Sequence, residues 1–249
     1  MRFTKTAAAY LTIVVAGAAQ ASVIIPPTED VMTSAFFQGA NRVRGFAGET
    51  PPRAVHRVSI DNAFGVGPET VYIAFDPSAF GGFTSPVQRA VLTASSTSGG
   101  FFADAGPGNP FIVSAHGVSA DPFTSITDDT NPGGPLSFVD FFEANILDAA
   151  PPARIPVASF GEIEFNVTAL VNDWLDGTTT DFVIALTGKN DRQLTDFLHG
   201  FVNNSETPGS TFLTVSQVPE PSSVILTVAA ALAASWWVVR PIRHTNHAN

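Results

Sequence analysis

Ile163-Glu164-Phe165-Asn166-Val167 alternates apolar and polar side chains without exception, and this period of two narrows the available folds more than any other feature of the chain. Val71-Tyr72-Ile73-Ala74-Phe75-Asp76 has the same character, with Val71, Ile73 and Phe75 on one face. Val87 to Thr93, Phe111 to Val118, Phe182 to Leu186 and Thr211 to Val215 also read as strands, as does Val55 to Ile60. Turn-forming stretches separate them, among them Asp76-Pro77-Ser78, Gly81-Gly82, Gly106-Pro107-Gly108 and Asn131-Pro132-Gly133-Gly134. Seven or more short strands without regular helices between them predict an all-β, antiparallel sandwich.

One stretch has a different period. Val167, Leu170, Val171 and Trp174 fall at i, i+3, i+4 and i+7, one face of a short helix. Asn166 or Thr168 can cap its start and Gly177 can close its end in the left-handed conformation. Trp174 then plugs one end or edge of the sandwich. The chain contains no cysteine, so the fold stands without disulfides, and its 21 phenylalanines supply the core. Burying each contributes roughly 1.5–3 kcal/mol.

The two ends differ from the middle. Arg2 and Lys5 precede an apolar run from Ala7 to Ala18, and Ala19-Gln20-Ala21 has the small-x-small pattern of a signal-peptidase site. Residues 1–21 are therefore expected to be a cleaved secretory signal, with Ser22 as the mature start. At the other end, residues 222–239 carry no charge, include Trp236-Trp237 and are followed by Arg240 and Arg243. This is long enough for a transmembrane helix, with the arginines on the cytoplasmic side. Residues 244–249 follow as a cytoplasmic end.

Just before that span stands Val218-Pro219-Glu220-Pro221, whose two prolines keep Glu220 extended and outside any helix. Motif, apolar span and basic end occur in that order over residues 218–243, and together they resemble the PEP-CTERM sorting tail of bacterial exported proteins. The basic part is thin: Arg240 and Arg243, then His244 and His247. The resemblance implies an exosortase-like processing enzyme as partner, transient membrane anchoring, and a final place in the cell envelope or outside the cell.

Between the ends lie residues 22–217, one domain by length. Four of the 12 basic residues and one of the 22 acidic ones belong to the ends, leaving 8 against 21 and a formal charge of −13. Such acidity excludes a nucleic-acid partner, which requires a basic surface. The run "FNVTALVNDWLDG…DFVIALTG", then "FVNNSE…STFLTV", resembles the end of DNRLRE-type extracellular domains, and "TVYIAFDPSAFGGFTSPVQRAVLTAS" resembles an earlier hairpin of that family. Together they cover about Thr70 to Ala94 and Gly161 to Val215. This chain departs from the family pattern at Asn166, where the family writes Asp, and at Asp121-Pro122-Phe123-Thr124, which replaces an expected Trp and Glu. The resemblance implies a jelly-roll-like sandwich that binds extracellular polysaccharide.

No catalytic constellation emerges. His56, His116 and His199 are far apart, and neither an HExxH pair, a G-x-S-x-G elbow nor a phosphate loop occurs. Glu162/Glu164 and Asp173/Asp176 are carboxylate pairs of the type glycoside hydrolysis uses, but each reads as a solvated acidic surface. Asp128, Asp129 and Asn131 place oxygen ligands close together in a Pro/Gly loop, a calcium candidate without EF-hand spacing that also suits a turn. The adjacent pairs Phe36-Phe37, Phe101-Phe102 and Phe141-Phe142 turn one ring each way if they lie in strands, and Phe101 with Phe102 is the candidate ligand platform. The expected function is that of a non-catalytic envelope or matrix protein without a cofactor. A purely structural surface protein and a polysaccharide-degrading hydrolase are the alternatives.

Overall fold

The computed structural model describes residues 22–34, 42–44, 55–59, 69–98, 107–108, 110–126, 136, 138–147, 153–188 and 198–217. Residues 1–21 and 218–249, which contain the expected signal and sorting tail, lie outside this set, as does the proposed span 222–239. Among the described residues, no helix is long and apolar enough to cross a membrane.

Ser22–Gln217 form one compact unit. Its strands are β1 (Ser22–Ile25), β2 (Glu29–Ser34), β3 (Arg42–Arg44), β4 (Val55–Ser59), β5 (Thr70–Ala74), β6 (Val87–Ser98), β7 (Phe111–Val118), β8 (Ile146–Leu147), β9 (Ala153–Val157), β10 (Gly161–Asn166), β11 (Val183–Thr187), β12 (Leu198–Val202) and β13 (Thr211–Gln217). Among the described residues there are also three helices, α1 (Pro122–Ser125), α2 (Phe138–Asn145) and α3 (Thr168–Leu175), and a 3₁₀ turn at Pro77–Phe80. All strand pairs among the described residues are antiparallel and fall into two sheets, so the all-β reading holds.

The first sheet is built on β6, the longest strand. Ala94 pairs with Ile163 of β10 and with Thr211 of β13, while Ser96 pairs with Gly161 of β10 and Phe201 of β12. Strands β12 and β13 therefore run end to end along one side of β6, interrupted by the excursion 203–210, and β10 occupies the other side. β1 pairs with β13 and β4 with β12. The second sheet runs β3-β2-β5-β11-β7, with β8 and β9 sharing the far edge of β7.

Alternation decides which side chains meet between the sheets. Val71, Ile73, Ile184 and Leu186 of the second sheet join Leu92, Ile163, Phe165, Leu213 and Val215 of the first in one apolar cluster. As expected, Val71, Ile73 and Phe75 share a buried face. Tyr72 does not meet solvent on the opposite face, however. A second cluster covers it: Val31, Tyr72, Val118, Val183 and Ala185 pack against Ile126 and Phe141, with the Tyr72 and Phe141 rings edge to face at 5.8 Å. The excursion between β7 and β9 supplies this cover. It contains α2, an eight-residue helix, so the expectation of one short helix is corrected to two of that length. Phe141 lies in a helix, where the two-faced arrangement of a strand pair does not apply, and is buried.

Helix α3 lies where its apolar period puts it, with Leu170, Val171 and Trp174 buried. Trp174 meets Phe182 at 5.1 Å and Phe80 at 5.6 Å, and Phe80 meets Phe182 at 5.0 Å. Gly177 has φ +71° and donates its N–H to the Trp174 carbonyl, closing the helix as expected.

Candidate functional site

An open groove of about 640 Å³ lies between β9, the end of β10 and α3. Ala153, Ile155 and Ala169 form its apolar part; Arg154, Asn166, Thr168 and Asn172 form its polar part. Its shape follows from how α3 is tied to β6. Strand β10 pairs with β6 only from Val91 onward. The N–H groups of Val87 and Ala90, which precede that ladder, are taken up by helix side chains: Asn172 Oδ1 accepts from Val87 at 2.8 Å and Thr168 Oγ1 from Ala90 at 2.9 Å. Thr168 and Asn172 are four residues apart and so share a helix face.

These bonds fix what the groove can offer. Because a backbone N–H is a donor only, Asn172 Oδ1 is committed and its remaining polar atom is Nδ2. Asn166 Oδ1 accepts from the Thr168 N–H at 3.1 Å and from the Thr168 hydroxyl at 2.7 Å, which likewise leaves Nδ2. Asn166 thus holds the start of α3, whereas the Thr168 side chain is turned to β6. Beside its apolar wall, the groove is thus bordered by the side-chain amides of Asn166 and Asn172. That combination suits an oxygen-rich ligand with a flat apolar side.

The acidic residues are arranged differently. Glu162 and Glu164 are exposed on the outer face of β10, as their spacing predicts, and Glu164 is 3.4 Å from Arg89 Nη2. Both members of that ion pair are well exposed, so it adds little stability. Asp176 is exposed and Asp173 half-buried at the end of α3, where the Asp173 carbonyl accepts from Thr178 and Thr179. Glu29 and Asp181 both have carboxyls raised above their ordinary values. Burial is the main cause for each, reinforced by the charge of Asp121 and, for Glu29, of Asp30. Among the described residues, no group of three or more His, Asp and Glu side chains is placed to hold a metal ion.

Glu69 is buried at 4% exposure, and Asp30 is drawn still further inward, at 2% exposure. It pairs with Ile73 across β2 and β5 and so faces the first sheet. There it accepts from the backbone N–H of Asn204 at 2.7 Å, from that of Ser205 at 3.1 Å and from the Ser205 hydroxyl at 3.0 Å. Asn203 Oδ1 accepts from Ser205 and Glu206, and Asn204 Oδ1 from Gly209 and Thr211. The "NNSE" element thus folds the 203–210 excursion onto a carboxylate of the other sheet.

Of the residues singled out from sequence, Asn166 and Thr168 border the groove. Arg154, Ala169 and Asn172 carried no such mark, although the i, i+4 spacing of Thr168 and Asn172 opposite the apolar face was a usable signal. His116 is buried on β7. Phe101, Phe102, Asp128, Asp129 and Asn131 lie outside the described residues, as do Ala19, Ala21, Val218, Pro219, Glu220, Pro221, Arg240 and Arg243. No protein-family model matches the chain, and no curated protein matches it.

Proposed function

We propose that this chain is an exported envelope or matrix protein, delivered by a signal peptide and a PEP-CTERM tail, whose DNRLRE-type, jelly-roll-like domain binds extracellular polysaccharide without altering it. Support for the address is the ordered sequence of motif, apolar span and basic end over residues 218–243. The binding half is carried by one observation: the groove beside α3 presents amide N–H groups whose own carbonyl oxygens are already engaged. Sugar hydroxyl and ring oxygens accept from such groups, while a pyranose face packs on Ala153, Ile155 and Ala169.

The test is co-sedimentation of the exported chain with insoluble extracellular polysaccharide. Ala169→Phe fills the groove without removing a hydrogen bond and is expected to reduce retention at least tenfold. Phe101→Ala with Phe102→Ala tests the alternative platform. Loss in the Phe pair alone moves the site away from the groove. Absence of retention in the unaltered chain favours a purely structural surface protein, and release of soluble sugar would make it a hydrolase.

A further inference from the structure

The first strand of the domain is held by its ladder and by little else. β1 pairs with β13 from Ser22 opposite Ser216 to Ile25 opposite Leu213. Only Ile25 is buried, while Val23 is 44% and Ile24 65% exposed. Among the described residues, no strand pairs with the other edge of β1. The link to the rest of the chain is Pro26-Pro27-Thr28, with Pro26 and Thr28 exposed. Two successive prolines hold the link extended and contribute no N–H to fasten it. Regular pairing resumes in the other sheet, where Thr28 donates to the Ala74 carbonyl at 2.9 Å. The strand is thus a short clasp on an extended, largely exposed hinge, held by its ladder with β13 and by the burial of Ile25.

We propose that β1 exchanges between copies, so that the β1 of one chain occupies the place beside β13 of a second. The partner is this same chain. Each ladder bond and the burial of Ile25 are reproduced in the exchanged form, so the two forms differ only at the Pro26-Pro27 hinge and in the entropy of association. Protein concentration then selects between them. Reciprocal exchange closes a dimer, and one-way exchange extends into a chain of copies, an assembly suited to a matrix protein. The inference rests on removal of residues 1–21 as proposed above, since free movement of β1 requires its leading end to be released.

The absence of cysteine makes the test clean. Ile24 and Thr214 are partners across the β1–β13 ladder, on the outer face. Exported chains carrying Ile24→Cys or Thr214→Cys alone are purified separately, mixed in equal amounts at high concentration, incubated and then oxidised. Exchange predicts disulfide-linked heterodimers in several-fold excess over both homodimers combined, rising with incubation time. Heterodimers merely equal to the homodimers are random collisions and overturn the proposal. The double variant Ile24→Cys/Thr214→Cys is the control: oxidised while dilute, it should close within one chain and then fail to associate on concentration. Failure to close within one chain means that β1 does not lie beside β13, which also overturns it. The mass of each purified chain reports whether residues 1–21 are gone, so failed processing is read apart from failed exchange.

Discussion

Asp30 joins the two sheets through three hydrogen bonds, and two of its donors are backbone N–H groups with the Asp30 carboxylate as their acceptor. Asp30→Ala leaves the half-buried Asn204 N–H without this acceptor and the Ser205 N–H with Asn203 Oδ1 alone, so a loss of about 2 kcal/mol is expected, seen as a lower urea midpoint with an unchanged slope. Asp30→Asn keeps one acceptor oxygen and should lose roughly half as much. A full-strength Asp30→Ala protein would mean that the 203–210 excursion is held by Asn203 and Asn204 alone. The neighbouring Glu29 acts in the opposite sense. Its folded carboxyl is raised above the unfolded value, as is that of Asp181. A raised carboxyl contributes stability that is complete below its unfolded pKa and is lost as pH rises through the folded one. Glu29→Gln should therefore melt at a higher temperature than the parent at neutral pH, the gap closing as the pH falls below the ordinary glutamate range. A gap that persists in acid would assign the effect to packing instead of charge. Nothing in the sequence marks Asp30 or Glu29, because a buried carboxylate is recognisable only by the donors brought to it from 174 residues away.

Helix α3 shows why one element was legible in detail and its neighbours were not. Its apolar period, its glycine end and its Asn166 start are local features, set by residues within the helix or next to it. Strands with one face on the core, such as β10, were legible for the same reason. β2, with Asp30, Val31, Met32 and Thr33 all buried, has no alternation to read, because the second sheet is covered on both faces. The cover itself, α2, depends on the Tyr72 face needing a partner. The tie from α3 to β6 gives this scale its prediction. Asn172→Ala removes the acceptor for the Val87 N–H and should cost about 1–2 kcal/mol. Hydrogen exchange at the Val87 amide should quicken selectively, and unchanged exchange there would show that water replaces the side chain without loss. Gly177→Ala should cost about 1 kcal/mol, all of it from backbone conformation, since an added Cβ would meet nothing within 4 Å.

At the scale of the molecule, the first and last strands of the domain lie side by side. Ser22 stands opposite Ser216, with their hydroxyl oxygens 2.8 Å apart, and β13 ends at Gln217, whose amide donates to the Thr84 hydroxyl at 2.7 Å. A mature start at Ser22 and a cut from Val218 onward, as proposed above, would leave β1 and β13 whole. The pairing of the two ends was not legible in the sequence, because it depends on the closure of the whole sheet. Cutting at both places would remove no described ladder residue, so processing should leave the stability of the domain unaltered. Intact mass of the protein recovered from the envelope should match a chain that starts at Ser22 and stops within Val218 to Pro221. Its urea midpoint should equal that of the unprocessed chain from cells lacking the processing enzyme. A mass that extends through Asn249 would make the tail a permanent anchor. A midpoint that drops on processing would mean that residues beyond the two strands support the sheet.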